Sequence, residues 1–191
     1  MKQMVIVVGS PGAGKTSVVS PLQKSRKYKV VNLGDIMGEI GIKSHLVKRV
    51  DEIRYLDNDK NTDLRTKAVE RVSKLEGNVI LSTHAMVEQH GRYLPGLSYY
   101  MFKHFRHVKG FFYIDADTET LLRRRRKDKS RTREIEDKKV LDTQRDLNLA
   151  ILSYYSTHLN IPLYIINNTD GKLGETRKTF VKDLKDAFGE E

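Results

Sequence analysis

The segment Gly9-Ser10-Pro11-Gly12-Ala13-Gly14-Lys15-Thr16 follows directly on the apolar run Met4-Val5-Ile6-Val7-Val8. Glycine, four residues, then Gly-Lys-Thr is the spacing of a phosphate-binding loop. It lies where such a loop belongs, after a buried strand and ahead of a helix. The glycines let the backbone curl so that successive N–H groups point inward at phosphate oxygens. The helix that opens there adds the positive end of its dipole. Lys15 can reach the β- and γ-phosphates, the Thr16 hydroxyl is the usual inner ligand of Mg²⁺, and Ser17 completes the candidate stretch. A chain built this way is expected to bind a nucleoside triphosphate.

The rest of the sequence supplies a frame for that loop. Apolar runs bounded by turn signals predict strands near 3–8, 28–33, 78–82, 110–115 and 162–167. Between them run helical patterns: Val18, Val19 and Leu22; Leu64, Ala68, Val72 and Leu75; Leu147, Ile151 and Tyr155 on a long helix from near Ile135; and Phe180, Leu184 and Phe188. Short, wholly apolar strands alternating with helices predict a doubly wound α/β fold, a parallel five-stranded sheet covered on both faces. No repeat, linker or change of composition divides the 191 residues, so one domain is expected. Two polar segments interrupt the rhythm, about 36–62 and 127–136, and are expected to be flaps over the site, the second a short lid.

Composition narrows the partners. Cysteine is absent, which excludes disulfides and thiolate metal sites. No stretch reaches the length of a membrane span, and the first strand begins too early for a signal peptide, so a cytoplasmic protein is expected. The net charge of +10 favours polyanions, which include nucleotides as well as nucleic acid. The run Arg123 to Arg126 followed by Lys127 reads either as a solvated helix face or as part of a phosphate site. It does not by itself argue for RNA.

Ligands of such sheets sit at the carboxyl ends of the strands, so the residues there carry the functional reading. They include Gly34-Asp35-Ile36-Met37, Thr83-His84-Ala85, Tyr93-Leu94-Pro95-Gly96-Leu97 and Asp115-Ala116-Asp117, followed by Arg124 and by Arg131-Thr132-Arg133. The phosphate loop, Gly34-Asp35-x-Met37, Asp51-Glu52-Ile53-Arg54, Thr83-His84-Ala85, Tyr93-Leu94-Pro95-Gly96-Leu97 and Arg131-x-Arg133 resemble the archaeal-type adenylate kinases, in the same order and over almost the whole chain. The resemblance implies an ATP:AMP phosphotransferase that makes two ADP with Mg²⁺. It implies that Arg54, in the first flap, grips the phosphate of AMP, and that Arg131 and Arg133 close over the triphosphate. It places Arg124 against the adenine of ATP. Asp35, His84 and Arg92 fall on the AMP side, and His84 either contacts that nucleotide or supports the water shell of the metal. Arginine suits these tasks because its planar fork binds two phosphate oxygens at once.

Three positions depart from the family pattern. Ser82 stands where the family carries an aspartate, with Asp35 and Asp115 at neighbouring strand ends. Glu88, with Arg92 nearby, stands where a basic residue is expected. The arginine expected on the helix after the lid falls at Asn148 or Leu149, with Arg145 about one turn earlier. Two further readings stay open on sequence grounds: a kinase for another nucleoside monophosphate, and a P-loop ATPase that binds ribosomal RNA or protein. The resemblance also implies a homo-oligomer, a trimer.

Overall fold

A computed structural model describes residues 3–89, 91–105, 107–127 and 137–190. The chain runs β1 (Gln3–Val8), α1 (Lys15–Val19), β2 (Tyr28–Asn32), α2 (Leu33–Lys43), α3 (Asn58–Ser73), β3 (Asn78–Ser82), β4 (Met86–Gln89) and β5 (Arg92–Pro95). It continues through β6 (Val108–Asp115), α4 (Thr118–Lys127), α5 (Lys138–Leu159), β7 (Leu163–Asn167) and α6 (Leu173–Phe188). Five strands form one parallel sheet in the order β2-β3-β1-β6-β7. The first-read strand, β1, is its centre and is buried from Met4 to Val8, as expected of a strand covered on both faces.

Alternate residues of the sheet feed two cores. Met4, Ile6, Val8, Leu81 and Tyr113 pack with Leu33 and Met37 of α2, Leu64, Ala68 and Val72 of α3, and Leu152 and Tyr155 of α5. Val5, Val7, Ile80, Phe112 and Ile114 pack with Val18 of α1, Leu121 of α4, Leu141 of α5, and Phe180 and Leu184 of α6. The parallel register aligns the strand ends in one row: Asn32 beside Ser82, Ser82 beside Val7, and Asp115 beside Asn167. Among the described residues no helix is long and apolar enough to cross a membrane.

Several boundaries differ from expectation, each for a local reason. β2 stops at Asn32 and not at 33, because the Asn32 side chain accepts from Gly34 N (2.8 Å) and Asp35 N (3.4 Å) and so starts α2. The segment 36–62 is mostly helical: it holds most of α2, a 3₁₀ helix (Val50–Tyr55) and the first turn of α3. Of Leu147, Ile151 and Tyr155, only Tyr155 lies on the buried seam of α5. That seam is Leu141, Gln144, Asn148, Leu152 and Tyr155, two of them polar. Its start is Lys138, with the Asp137 carboxylate accepting from Lys139 N, and Ile135 lies outside the described residues, as does 128–136 of the expected lid. The antiparallel hairpin β4–β5 had no signal strong enough to separate it from a loop.

The carboxyl end of α6 is pinned to the opposite edge of the sheet. Glu190 accepts from the Tyr28 hydroxyl (2.6 Å), from Asn78 Nδ2 (3.1 Å) and from Lys27 Nζ (2.8 Å), while Phe188 stacks on Tyr28. Burial pushes the Glu190 carboxyl upward, but the bonds from Lys27 and Tyr28 outweigh it and hold the group below the usual carboxylate range. A depressed native pKa stabilises the fold above the ordinary value of 4.5, and that stabilisation is lost as pH falls through the native pKa. Glu190→Gln should therefore lose about 1 kcal/mol at neutral pH in urea unfolding, with the gap from the parent closing as the pH falls through the native pKa of Glu190. An equal gap at neutral pH and below that pKa would exclude this clamp as its cause.

Candidate functional site

Gly14 caps α1 with φ 88° and Gly12 has φ 94°, both in the left-handed region that residues with a side chain avoid. These two turns fold the loop back on itself, with Ala13 N donating to Ser10 O (3.0 Å). The outer rim of the loop is held by side chains. Arg125 Nε donates to Pro11 O (2.9 Å), Arg124 Nη1 to Gly12 O (3.5 Å) and Ala13 O (3.3 Å), and Asn168 Nδ2 to Ala13 O (2.7 Å). With the carbonyls of 11–13 engaged from outside, the amide edge of the loop is left to face a ligand, which is the geometry of an anion nest. Lys15 Nζ curls over the loop to Gly9 O (2.7 Å). Ser10 Oγ lies 3.4 Å from the Tyr113 hydroxyl, which burial pushes up to about 12. Thr16 and Ser17 are exposed on α1, and Ser17 O accepts two bonds from Arg177 (3.0 and 2.8 Å).

The end of β3 stands beside this loop. Thr83 N donates to Val7 O (3.0 Å), and His84 Nδ1 lies 3.3 Å from Gly9 O. His84 thus sits against the first residue of the phosphate loop. The following turn is fixed by three polar clamps. Gly96 N and Leu97 N donate to Ala85 O (2.7 and 3.1 Å), and a side chain at 96 would collide with His84 O. Arg65, on α3, donates from Nη1 to Pro95 O (2.9 Å) and Gly96 O (2.6 Å) and from Nη2 to Asn61 Oδ1 (2.9 Å). Asn148 Oδ1 accepts from Met86 N (2.9 Å) while Gln144 Nε2 donates to Met86 O (3.2 Å). Leu94 to Leu97 therefore shape the loop, and the Tyr93 hydroxyl packs on α5 at Val140 O (3.4 Å).

Asp115 and Arg145, considered separately in the sequence, meet each other. Arg145 Nε and Nη2 reach the two carboxylate oxygens of Asp115 at 2.8 and 2.6 Å, and Asp115 is 5% exposed. The carboxylate holds the Arg145 guanidinium above its ordinary pKa. The pair borders a polar cleft of about 360 Å³ with Asp117, Thr118, Asn168 and Thr169. Both oxygens of Asp115 are thus engaged by Arg145, so it is not an open metal ligand. Ser82 is buried between Val7 and Asn32, where it presents a hydroxyl and no charge.

Asp35 is exposed in the first turn of α2, with its amide 3.4 Å from the Asn32 side chain. Arg54 lies on the 3₁₀ helix, donating to Asp51 O (3.1 Å) with its guanidinium 5.9 Å from the Tyr55 ring centroid. Arg92 is exposed on β5, and Glu88, on β4, accepts from Gly91 N (2.7 Å). Arg131 and Arg133 lie outside the described residues. The arginine run is neither a bare solvated face nor one patch. Arg123, Arg124 and Arg125 turn toward the phosphate loop or the segment after β7, and Arg126 and Lys127 face solvent. Arg65, Gln144 and Asn168 carry no motif. Asn168 was accessible to the strand-end rule applied to β7, while Arg65 and Gln144 had no signal before their partners were in place.

Residues 8–142 match a family described as an AAA domain. The chain is 34% identical to an adenylate kinase of Pyrococcus horikoshii over 96% of each chain. It is 32% identical to an adenylate kinase of Pyrococcus furiosus, over 100% of this chain and 99% of the relative. An adenylate kinase of Methanothermobacter thermautotrophicus is 31% identical over 90% of this chain and 93% of its own. In shape the chain resembles a shikimate kinase from Bacteroides thetaiotaomicron (TM-score 0.57, 18% identity, 96% of this chain and 98% of that one). A gluconokinase from Sinorhizobium meliloti is also similar (TM-score 0.56, 15% identity, 96% and 92%). These two likenesses speak for the fold alone.

Arg65→Ala removes the partly buried guanidinium that ties α3 to the carbonyls of Pro95 and Gly96. It should lower unfolding stability by about 1–2 kcal/mol, since charged hydrogen bonds to Pro95 O and Gly96 O are lost. Chemical denaturation measures this, and an unchanged midpoint would show that the 84–97 turn holds without the clamp.

Proposed function

We infer the mechanism from one premise: the chain belongs to the adenylate kinase family, whose reaction is reversible phosphoryl transfer from ATP to AMP, giving two ADP. The observation that carries the assignment to this edge of the sheet is the contact of His84 with Gly9, which brings the end of β3 against the phosphate loop. In this reading the loop from Gly9 to Ser17 holds the triphosphate, with its amides lining the anion and Lys15 placed to follow charge onto the transferring group. The acceptor phosphate must stand in line with the γ-phosphate, and positioned arginines supply both alignment and neutralisation. Arg54 takes the AMP phosphate, with Asp35, His84 and Arg92 on the same side of the cleft. Arg124 faces the base of ATP. Arg131 and Arg133, outside the described residues, would close over the phosphates and exclude water.

The donor set suits Mg²⁺ carried in by the nucleotide. Thr16 offers one exposed hydroxyl at the loop, Asp115 is paired with Arg145, and the described residues hold no cluster of three His, Cys, Asp or Glu that could cage a metal. One protein oxygen together with phosphate oxygens and waters matches the way Mg²⁺ binds. When bound, the ion supplies charge neutralisation between phosphates. A trimer in the cytoplasm remains part of this proposal, tested by light scattering of the purified chain.

A coupled assay of ATP with each nucleoside monophosphate, beside ATP alone, tests the reading. ADP formation should depend on AMP. ADP formation from ATP alone at the same rate would favour an ATPase. Lys15→Ala should reduce turnover by roughly 10³-fold or more with the fold intact by circular dichroism. Turnover like that of the parent would remove Lys15 from the transfer step. For Arg54→Ala, the KM for AMP should rise at least about ten-fold while that for ATP changes little. Equal changes in both would take Arg54 off the acceptor phosphate.

A further inference from the structure

Arg124 is fixed in an unusual way for a partly exposed arginine. Its Nε donates to Asp170 Oδ1 (2.9 Å), and its Nη2 meets both Asp170 Oδ1 and Asn168 O (each 2.8 Å). Its Nη1 points to the carbonyls of Gly12 and Ala13. All three nitrogens are therefore engaged around the rim of the guanidinium, between the phosphate loop and the segment that follows β7. Hydrogen bonds to a guanidinium lie in its plane. A ligand approaching this group meets a planar cation through its face, and a face binds an aromatic ring by stacking. Asp170 anchors the arrangement. Its second oxygen, Oδ2, accepts from Arg123 Nη2 (2.8 Å), which also reaches Thr120 Oγ1 (2.8 Å), so one carboxylate ties two successive residues of α4 to the loop after β7.

We propose that Asp170 is a positioning residue for the base of the donor nucleotide: by holding the rim of Arg124 it presents the guanidinium face on which that base stacks. The inference rests on the reading of Arg124 as the residue facing the base of ATP, and it adds the group that sets its orientation. The bonds from Arg123 and Arg124 hold the Asp170 carboxyl below its ordinary pKa, so the anchor persists throughout the neutral range. Stacking acts on the base and not on the phosphates, which separates this role from general support of the phosphate loop.

Calorimetric binding of ATP and of inorganic tripolyphosphate, which has no base, tests the proposal on the full chain. Asp170→Asn should weaken ATP about ten-fold and change tripolyphosphate by less than about two-fold, the size expected for loss of one stacked cation. In turnover, the KM for ATP should rise and that for AMP should stay. Asp170→Glu, which keeps the charge, should recover part of the ATP affinity. Arg124→Lys should weaken ATP at least as much and tripolyphosphate to a lesser degree, since Arg124 also holds Gly12 O and Ala13 O, and the double variant should lose little more ATP affinity than Arg124→Lys alone, since both act through one contact. Equal weakening of ATP and tripolyphosphate, additive losses in the double variant, or no loss of ATP affinity would each overturn the proposal. Should Asp170→Asn fail to fold, Asp170→Glu carries the comparison: its displaced carboxylate should weaken ATP more than tripolyphosphate, and equal weakening of the two overturns the proposal. Failure of the kinase reading shows elsewhere, as no AMP-dependent ADP formation by the parent chain, and leaves the binding comparison intact.

Discussion

The carbonyl oxygens of Pro11, Gly12 and Ala13 are each held from outside by a side chain, and the rest of the site depends on that restraint. A glycine-rich loop is flexible by composition, since glycine loses more backbone freedom on ordering than any other residue. The loop must nevertheless present its amides in one arrangement if it is to bind an anion without paying the ordering cost at each encounter. Two glycines provide the turns, and Arg124, Arg125 and Asn168 fix them. The holders come from α4 and from the end of β7, more than a hundred residues away. The phosphate loop is a local motif whose shape is set by tertiary contacts.

The same logic governs the turn after β3. His84 reaches Gly9 O because the backbone from Ala85 to Leu97 is fastened on three sides: by Arg65 from α3, by Gln144 and Asn148 from α5, and by the close approach of Gly96 to His84. Asn148 is 1% and Gln144 2% exposed, so these amides lie among apolar neighbours where an unmatched polar group would be costly. Each finds a backbone partner on Met86. A buried arginine at the Asn148 position could not make the same neutral bond to Met86 N, since guanidinium has only donors. Asn148 thereby ties α5 to the β4 strand.

The sheet was legible in the sequence because its strands are continuous apolar runs, and Val5, Ile6 and Val7 could hardly be anything but buried on both sides. The phosphate loop was legible because its spacing is strict. The helix caps were readable only with hindsight: Asn32 belongs to both an apolar run and a cap, and the cap prevailed because two amides of α2 needed an acceptor. The seam of α5 was misplaced for a related reason. Leu147 and Ile151 look like a core face, but Gln144 and Asn148 face inward to meet Met86, and polarity is a poor guide to burial when a backbone partner waits inside. The roles within the arginine run were not legible. Successive helical residues point about 100° apart, so what each reaches depends on neighbours that only the fold supplies.

Charge at the mouth of the cleft follows from these pairings. Asp115 is met by Arg145, Asp170 by Arg123 and Arg124, and the end of β3 carries the neutral Ser82. Carboxylates close to the phosphate loop are thereby matched with guanidinium groups, and an entering nucleotide meets less repulsion than the acidic residues alone would produce. The chain as a whole carries ten more positive than negative side chains. Where local acids are balanced in this way, that excess acts as a long-range attraction for polyanions, steering them toward a concave site. On the proposed assignment, selectivity then falls to short-range features: the shape of the amide-lined loop for phosphate, and the flat face of Arg124 for the base.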